Sequence, residues 1–160
     1  MKNRWFLHAL IGLLVSAALA QCQQLTIETE YGKRTELARS AIESLPHVKV
    51  TTHGPNATDT FEGVALKSVL EKAGVEFGRS LRGKRLASYL LVEAADGYRV
   101  VIALPEIDPD FTDKQIVLVF LQNGKPLDAK TGPFRIVIPD EKRMARWVRQ
   151  VTKLKIVDVE

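Results

Sequence analysis

Cysteine is almost missing from this chain: of 160 residues one, Cys22, carries a thiol. No intramolecular disulfide, C-x-x-C redox pair or cysteine-based zinc site can therefore form. Histidine is scarce as well. Of the three present, His8 lies in the N-terminal apolar stretch, which leaves His47 and His53 in the body. A zinc site needs three or four ligands, so these two do not make one. There is no G-x-S-x-G elbow, no Walker loop and no Rossmann glycine pattern, which removes the common hydrolase and dinucleotide-binding signatures. An EF-hand loop beginning at Asp108 would need glycine at its sixth position and glutamate at its twelfth. Asp113 and Val119 stand there instead. Glu106, Asp108, Asp110 and Asp113 therefore read as a solvated acidic loop.

A strong excess of one charge is also lacking. The formal net charge is +4, and it falls to about +2 once Lys2 and Arg4 are set aside. A near-neutral body is a poor general ligand for nucleic acid, and no nucleic-acid partner is expected. Lys2 and Arg4 instead begin a leader. They precede an apolar run from Trp5 to Val15 and the small residues Ala18-Leu19-Ala20, the pattern of a cleaved secretory signal over 1–20. The run is short and soon meets polar Gln21, Gln23 and Gln24, so no spanning helix is expected in the mature chain. The expected location is periplasmic or secreted. Lipidation of Cys22 is the alternative, although Gln21 is a poor fit before a lipidated cysteine. Residues 21–160 are the size of a single domain with a sizeable core.

Within that domain the hydrophobic pattern changes period repeatedly. Leu25–Glu30, His47–Thr52, Tyr89–Glu93, Arg99–Ala103, Phe134–Ile138 and Leu154–Val159 read as strands. Gln115–Leu121 is an uninterrupted apolar run suited to a central strand. Thr35 to Ser44 predicts a short helix closed by Pro46. Leu66, Val69, Leu70 and Ala73 share one face of a second helix that stops at Gly74. Gly54-Pro55-Asn56 reads as a loop, and Ala95-Asp96-Gly97-Tyr98 and Asn123-Gly124 as tight turns. Because strands and helices do not alternate regularly, the expected class is α+β, a mixed sheet with short helices.

The densest chemical signal is near the carboxyl end. From Lys142 to Lys155 there are six basic residues, no acidic one, and Trp147. Arg143, Arg146 and Arg149 recur every three residues, so a helical turn over Arg146–Val151 would align them on one side. A guanidinium fork suits phosphate or carboxylate. The same spacing also suits a solvated basic edge with Trp147 in the core. His53 stands in a loop where it could meet a ligand, or have no special role.

Five short motifs occur in a telling order: Phe61-Glu62-Gly63-Val64-Ala65-Leu66, Asp96-Gly97-Tyr98, Asn123-Gly124-Lys125-Pro126-Leu127, Gly132-Pro133-Phe134-Arg135-Ile136-Val137-Ile138-Pro139 and Arg146-Trp147-Val148. Together they resemble the molybdopterin-binding domain of sulfite oxidase-type oxidoreductases, in particular its short, exported, single-domain bacterial members. The resemblance implies a sulfite oxidase-like α+β fold able to hold a molybdenum–pterin cofactor. It places Arg146 at a basic position that helps hold the pterin phosphate, Arg135 beside the cofactor pocket, and Asp96 and Tyr98 in a structural turn. Arg135, Arg143, Arg146, Trp147 and His53 are the candidate cofactor-binding residues. That family ligates molybdenum through a cysteine thiolate in this domain, and no cysteine follows Cys22. The resemblance thus implies an exported domain that binds a small anionic ligand or an envelope protein partner, rather than catalysing alone. The alternative is a periplasmic molybdopterin-dependent oxidoreductase or its accessory subunit.

Overall fold

The computed structural model describes residues 23–53 and 58–159. The expected leader, Cys22 and the Gly54-Pro55-Asn56 loop lie outside the described residues. The described residues form ten strands: β1 Gln24–Glu28, β2 Arg34–Ala38, β3 His47–His53, β4 Thr58–Ala65, β5 Tyr89–Ala94, β6 Arg99–Ala103, β7 Val117–Gln122, β8 Lys125–Pro126, β9 Arg135–Val137 and β10 Val151–Val157. Among the described residues two short α-helices, α1 Arg39–Glu43 and α2 Leu66–Lys72, and several 3-10 turns complete the α+β fold. Among the described residues no helix is long and apolar enough to cross a membrane.

The strands form two sheets. The first has the order β2-β1-β10-β5-β6, and the second joins β3-β4-β7-β8, with β9 also pairing β7. Nearly all pairings are antiparallel. The exception is β1 with β10, where Thr26, Ile27 and Glu28 run parallel to Lys153, Leu154 and Lys155. Leu25, Ile27, Leu90, Val92, Leu154 and Ile156 from the first sheet share one core with Phe61, Val64, Leu118, Phe120 and Ile136 from the second. β7 is buried along its first four residues, on both faces, as its unbroken apolar run predicts.

Three local expectations change. The predicted helix from Thr35 to Ser44 is a strand followed by one helical turn. Leu37 and Ile42 are buried as the helical spacing requires, but β1 offers an unpaired edge, and Thr35 to Ala38 are drawn onto it in register with Ile27 to Gln24. Sheet hydrogen bonding overrides the weak local preference. The expected helical turn at Arg146–Val151 is instead a 3-10 turn at Met144–Arg146. Beyond it Val148 and Val151 bond to Ile136 and Phe134, and Gln150 takes a left-handed φ of 49° to make the connection. Finally, the acidic loop is not wholly solvated. Asp108 is fully buried, accepting hydrogen bonds from Lys67 Nζ at 3.0 Å, Gly78 N at 2.6 Å and Asp110 N at 3.3 Å.

Gly63 shows how tightly β4 and β7 are pressed together. A Cβ there would lie 2.2 Å from the Leu118 carbonyl oxygen and 2.5 Å from Val119 Cα, where the register of the pair shifts between Glu62 and Gly63. Both obstacles are backbone, so neither can swing away. Gly63→Ala is expected to cost about 3 kcal/mol or more, measured as a fall in the chemical-denaturation midpoint. A parental midpoint would show that the strands separate at no cost.

Candidate functional site

A cleft of about 550 Å³ opens at the end of the first sheet where β5 finishes. Its walls are Ala94, Asp96 and Tyr98 of the β5–β6 hairpin, Arg135 at the start of β9, Met144 and Ala145 of the 3-10 turn, and Trp147 and Arg149. Each wall has a local cause. Gly97 takes a φ of 84° and the Asp96 carboxylate accepts the Tyr98 backbone N–H at 2.9 Å, which closes the hairpin. The Tyr98 hydroxyl then donates to the Ala145 carbonyl at 2.8 Å and ties hairpin to turn. Trp147 is buried, and its indole N–H donates to the Ile138 carbonyl at 2.9 Å.

Arg135 is the chemical centre of this cleft. Its guanidinium lies over the rings of Phe61, at 5.4 Å, and Trp147, at 5.5 Å. The two rings meet edge to face at 6.0 Å. Arg135 forms no ion pair among the described residues, and its buried Nε has no hydrogen-bond partner. Burial, and then the charge of Arg149, hold its pKa below the usual arginine value, with Asp59 and Asp128 opposing the shift from a distance. It nevertheless remains protonated, as arginine does throughout the physiological range. A partly desolvated cation, a second arginine in the same cleft and an aromatic wall are an arrangement able to accept an oxyanion.

Arg146 faces elsewhere, so the three arginines do not line one side. Its Nη1 and Nη2 fork onto the two carboxylate oxygens of Glu106 at 3.2 and 3.1 Å. Its Nε reaches Glu141 at 2.7 Å, and Nη2 also contacts Glu141. Lys114 adds a bond to Glu106 at 2.7 Å. The Arg146 bond and, secondarily, Lys114 override the effect of burial and push the Glu106 pKa down to about 2. Arg143 is exposed and does not line the cleft. His53 ends β3 on its exposed face and bonds Thr58 Oγ1 at 3.2 Å. His47, on the same face, is held by Glu62 at 2.9 Å and the Glu43 carbonyl at 2.8 Å. Among the described residues no cluster of three or more His, Cys, Asp or Glu suits a metal.

Of the candidates named from sequence, Arg135 and Trp147 meet in the cleft, whereas Arg143, Arg146 and His53 lie outside its walls. Arg149, Asp96 and Tyr98 complete it. Arg149 was visible in the three-residue arginine spacing, and Asp96 and Tyr98 in a motif whose turn geometry hid their second role.

A model of the oxidoreductase molybdopterin binding domain matches residues 18–160. The chain belongs to that family. No curated protein matches it. Among solved structures, the sulfane dehydrogenase SoxCD from Paracoccus pantotrophus superposes with a TM-score of 0.67 at 20% identity. The match covers 86% of this chain and 38% of that one. The fold is therefore sulfite oxidase-like, and this chain corresponds to well under half of that larger protein.

Glu106→Gln should lower stability at neutral pH, and the gap from the parent should close as pH falls from 4.5 toward about 2. The sign follows from the depressed folded pKa: the carboxylate contributes fully above its ordinary value and is lost once protonated in the fold. Urea melts of both proteins across that window provide the check. Trp147→Ala should cost about 3–5 kcal/mol, measured by the same melts, because it removes a packed wall and one of the two hydrogen bonds to the Ile138 carbonyl, which keeps only the Glu141 N–H.

Proposed function

We propose that this is an exported binding domain that holds a phosphate-bearing or similarly anionic small ligand in the Arg135–Arg149 cleft and does not catalyse alone. The observation that carries the reading is Arg135 itself. A half-buried guanidinium with no carboxylate partner among the described residues is costly unless something anionic completes it. Arg149 adds a second positive charge, and Tyr98, half exposed, offers a flat surface against which a ring system could lie.

The family's cofactor can be tested against these residues. Its phosphate-bearing end suits the cleft, where Arg135 and Arg149 would take the oxyanion and Trp147 would form the wall. Its metal end does not fit the donors of this chain, because a soft thiolate is called for and the single cysteine, Cys22, precedes the domain's first strand. Binding without redox chemistry is therefore the simpler use of the site. Export to the periplasm or beyond rests on the N-terminal pattern of Lys2, Arg4 and the apolar run, with lipidation at Cys22 as its variant.

A second reading is favoured by the 38% coverage of SoxCD. A domain that matches part of a larger dehydrogenase could serve as an accessory subunit, with a partner protein supplying the missing ligand.

Purification from molybdenum-replete cells, followed by mass spectrometry of released ligands and metal analysis, distinguishes the two. The expected result is an anionic ligand without stoichiometric molybdenum; stoichiometric molybdenum would overturn the non-catalytic reading. Arg135→Ala and Arg149→Ala should each reduce ligand retention about 10- to 100-fold, the scale of a charge-assisted hydrogen bond. Arg146→Ala should lower stability and leave retention unchanged. Retention that depends on Arg146 and not on Arg135 would move the site.

A further inference from the structure

The opposite end of the first sheet carries a charged surface that the cleft does not use. There the turn after β1 is clasped to the 3-10 turn Gly83–Ala87. Arg85 Nη2 donates to Glu30 Oε1 at 2.7 Å and to the Glu76 carbonyl at 3.3 Å. The clasp buries the Glu30 side chain, which is 3% exposed. The next residue on each side is turned outward: Tyr31 is 85% exposed and Leu86 is 44% exposed.

Lys33 in the same turn as Tyr31, Arg79, Arg82 and Lys84 in the run leading to Leu86, and Lys72 at the end of α2 are all exposed. None of them pairs with a carboxylate among the described residues. Lys33 Nζ lies 3.8 Å from where a Cβ of Gly74 would be, which links the β1–β2 turn to the end of α2 and so to Lys72. Among the adjoining carboxylates, Glu71 faces Lys67 at 3.8 Å, and Asp110, whose Oδ2 lies 3.4 Å from where a Cβ of Gly78 would be, is the acidic neighbour of Arg79. Glu76 faces Arg85 at 4.0 Å, and Asp158 takes the Ser88 hydroxyl at 2.5 Å.

Three of the five cations are lysines, compact point charges that suit a diffuse negative surface better than a planar carboxylate. Between them Tyr31 and Leu86 project singly. A tyrosine places its ring at an apolar boundary and its hydroxyl in water, as interfacial residues do. Charge combined with shallow apolar insertion fits lipid headgroups, which demand no shaped partner. We infer that this end of the domain docks on a membrane surface bearing anionic lipid headgroups. β5 runs from Tyr89 at this end to Ala94 at the cleft. Its length of about 20 Å separates the two, so a docked molecule keeps the cleft mouth turned to the aqueous side.

The test is co-sedimentation of the protein as exported, without the 1–20 leader, with vesicles of phosphatidylcholine alone and of phosphatidylcholine mixed with phosphatidylglycerol. The expected result is partitioning that rises with the anionic lipid and falls when salt is raised, as the Debye length contracts. Arg79→Gln combined with Arg82→Gln and Lys84→Gln should lower it about a hundredfold, at about fivefold per basic residue. Tyr31→Ser with Leu86→Ser should weaken binding and preserve its salt dependence. Arg135→Ala with Arg149→Ala should bind vesicles like the parent, which separates this surface from the cleft. Equal partitioning to both vesicle types, or an unaffected triple glutamine variant, overturns the proposal. So does retention on immobilised polyglutamate with both vesicle types ignored, which would assign the surface to an acidic protein.

Discussion

The seat of Trp147 is the constraint on which the rest of this end of the molecule depends. The indole is pinned by its hydrogen bond to the Ile138 carbonyl and packed edge-on against Phe61. Phe61 belongs to the second sheet, and the chain after Trp147 enters the first through β10. One side chain thus joins the two layers at the point where Arg135 needs an aromatic floor. Arg135 is desolvated because these rings cover it, and among the described residues no carboxylate pairs with it. The same packing that stabilises the domain creates the unpaired charge.

The remaining arginines divide between two uses. Arg146 is consumed by Glu106 and Glu141 in a network that also takes in Lys114. Partly buried and doubly forked, it fastens the 3-10 turn to the segment after β6. Arg149, three residues on, escapes that network because Gln150 turns the backbone into the left-handed region and β10 begins. A difference of three residues therefore separates a structural cation from one that faces the cleft. Charge of one sign in a sequence does not reveal which of these uses each member will serve.

Much of the architecture was legible in the amino-acid order, for identifiable reasons. The β5–β6 hairpin followed from Asp96-Gly97, the central position of β7 from its unbroken apolar run, and α2 from the spacing of Leu66, Val69 and Leu70. The ordered motifs led to the right family. What escaped was non-local. Thr35 to Ala38 became a strand because β1 had a free edge, which no short window reveals. Arg146 found Glu106 at a separation of 40 residues, and Asp108 found Lys67 at 41. A three-residue arginine repeat is informative only if the helix persists, and here it lasts a single turn. In the site, Arg135 was named through its motif, while Tyr98 and Asp96 were legible as a turn and not as walls.

The parallel pairing of β1 with β10 has a consequence for how the polypeptide assembles. The first strand borders the last, so a chain released amino end first leaves β1 and β2 as a two-stranded hairpin with both edges open, β1's being the one that β10 later covers. Such a hairpin is marginal in water and its edges invite the wrong neighbour. The first layer closes only when Val151–Val157 arrives and inserts between β1 and β5. Contacts spanning nearly the whole chain length make for slow maturation, and loss of the carboxyl-terminal strand would split that layer in two instead of trimming its border.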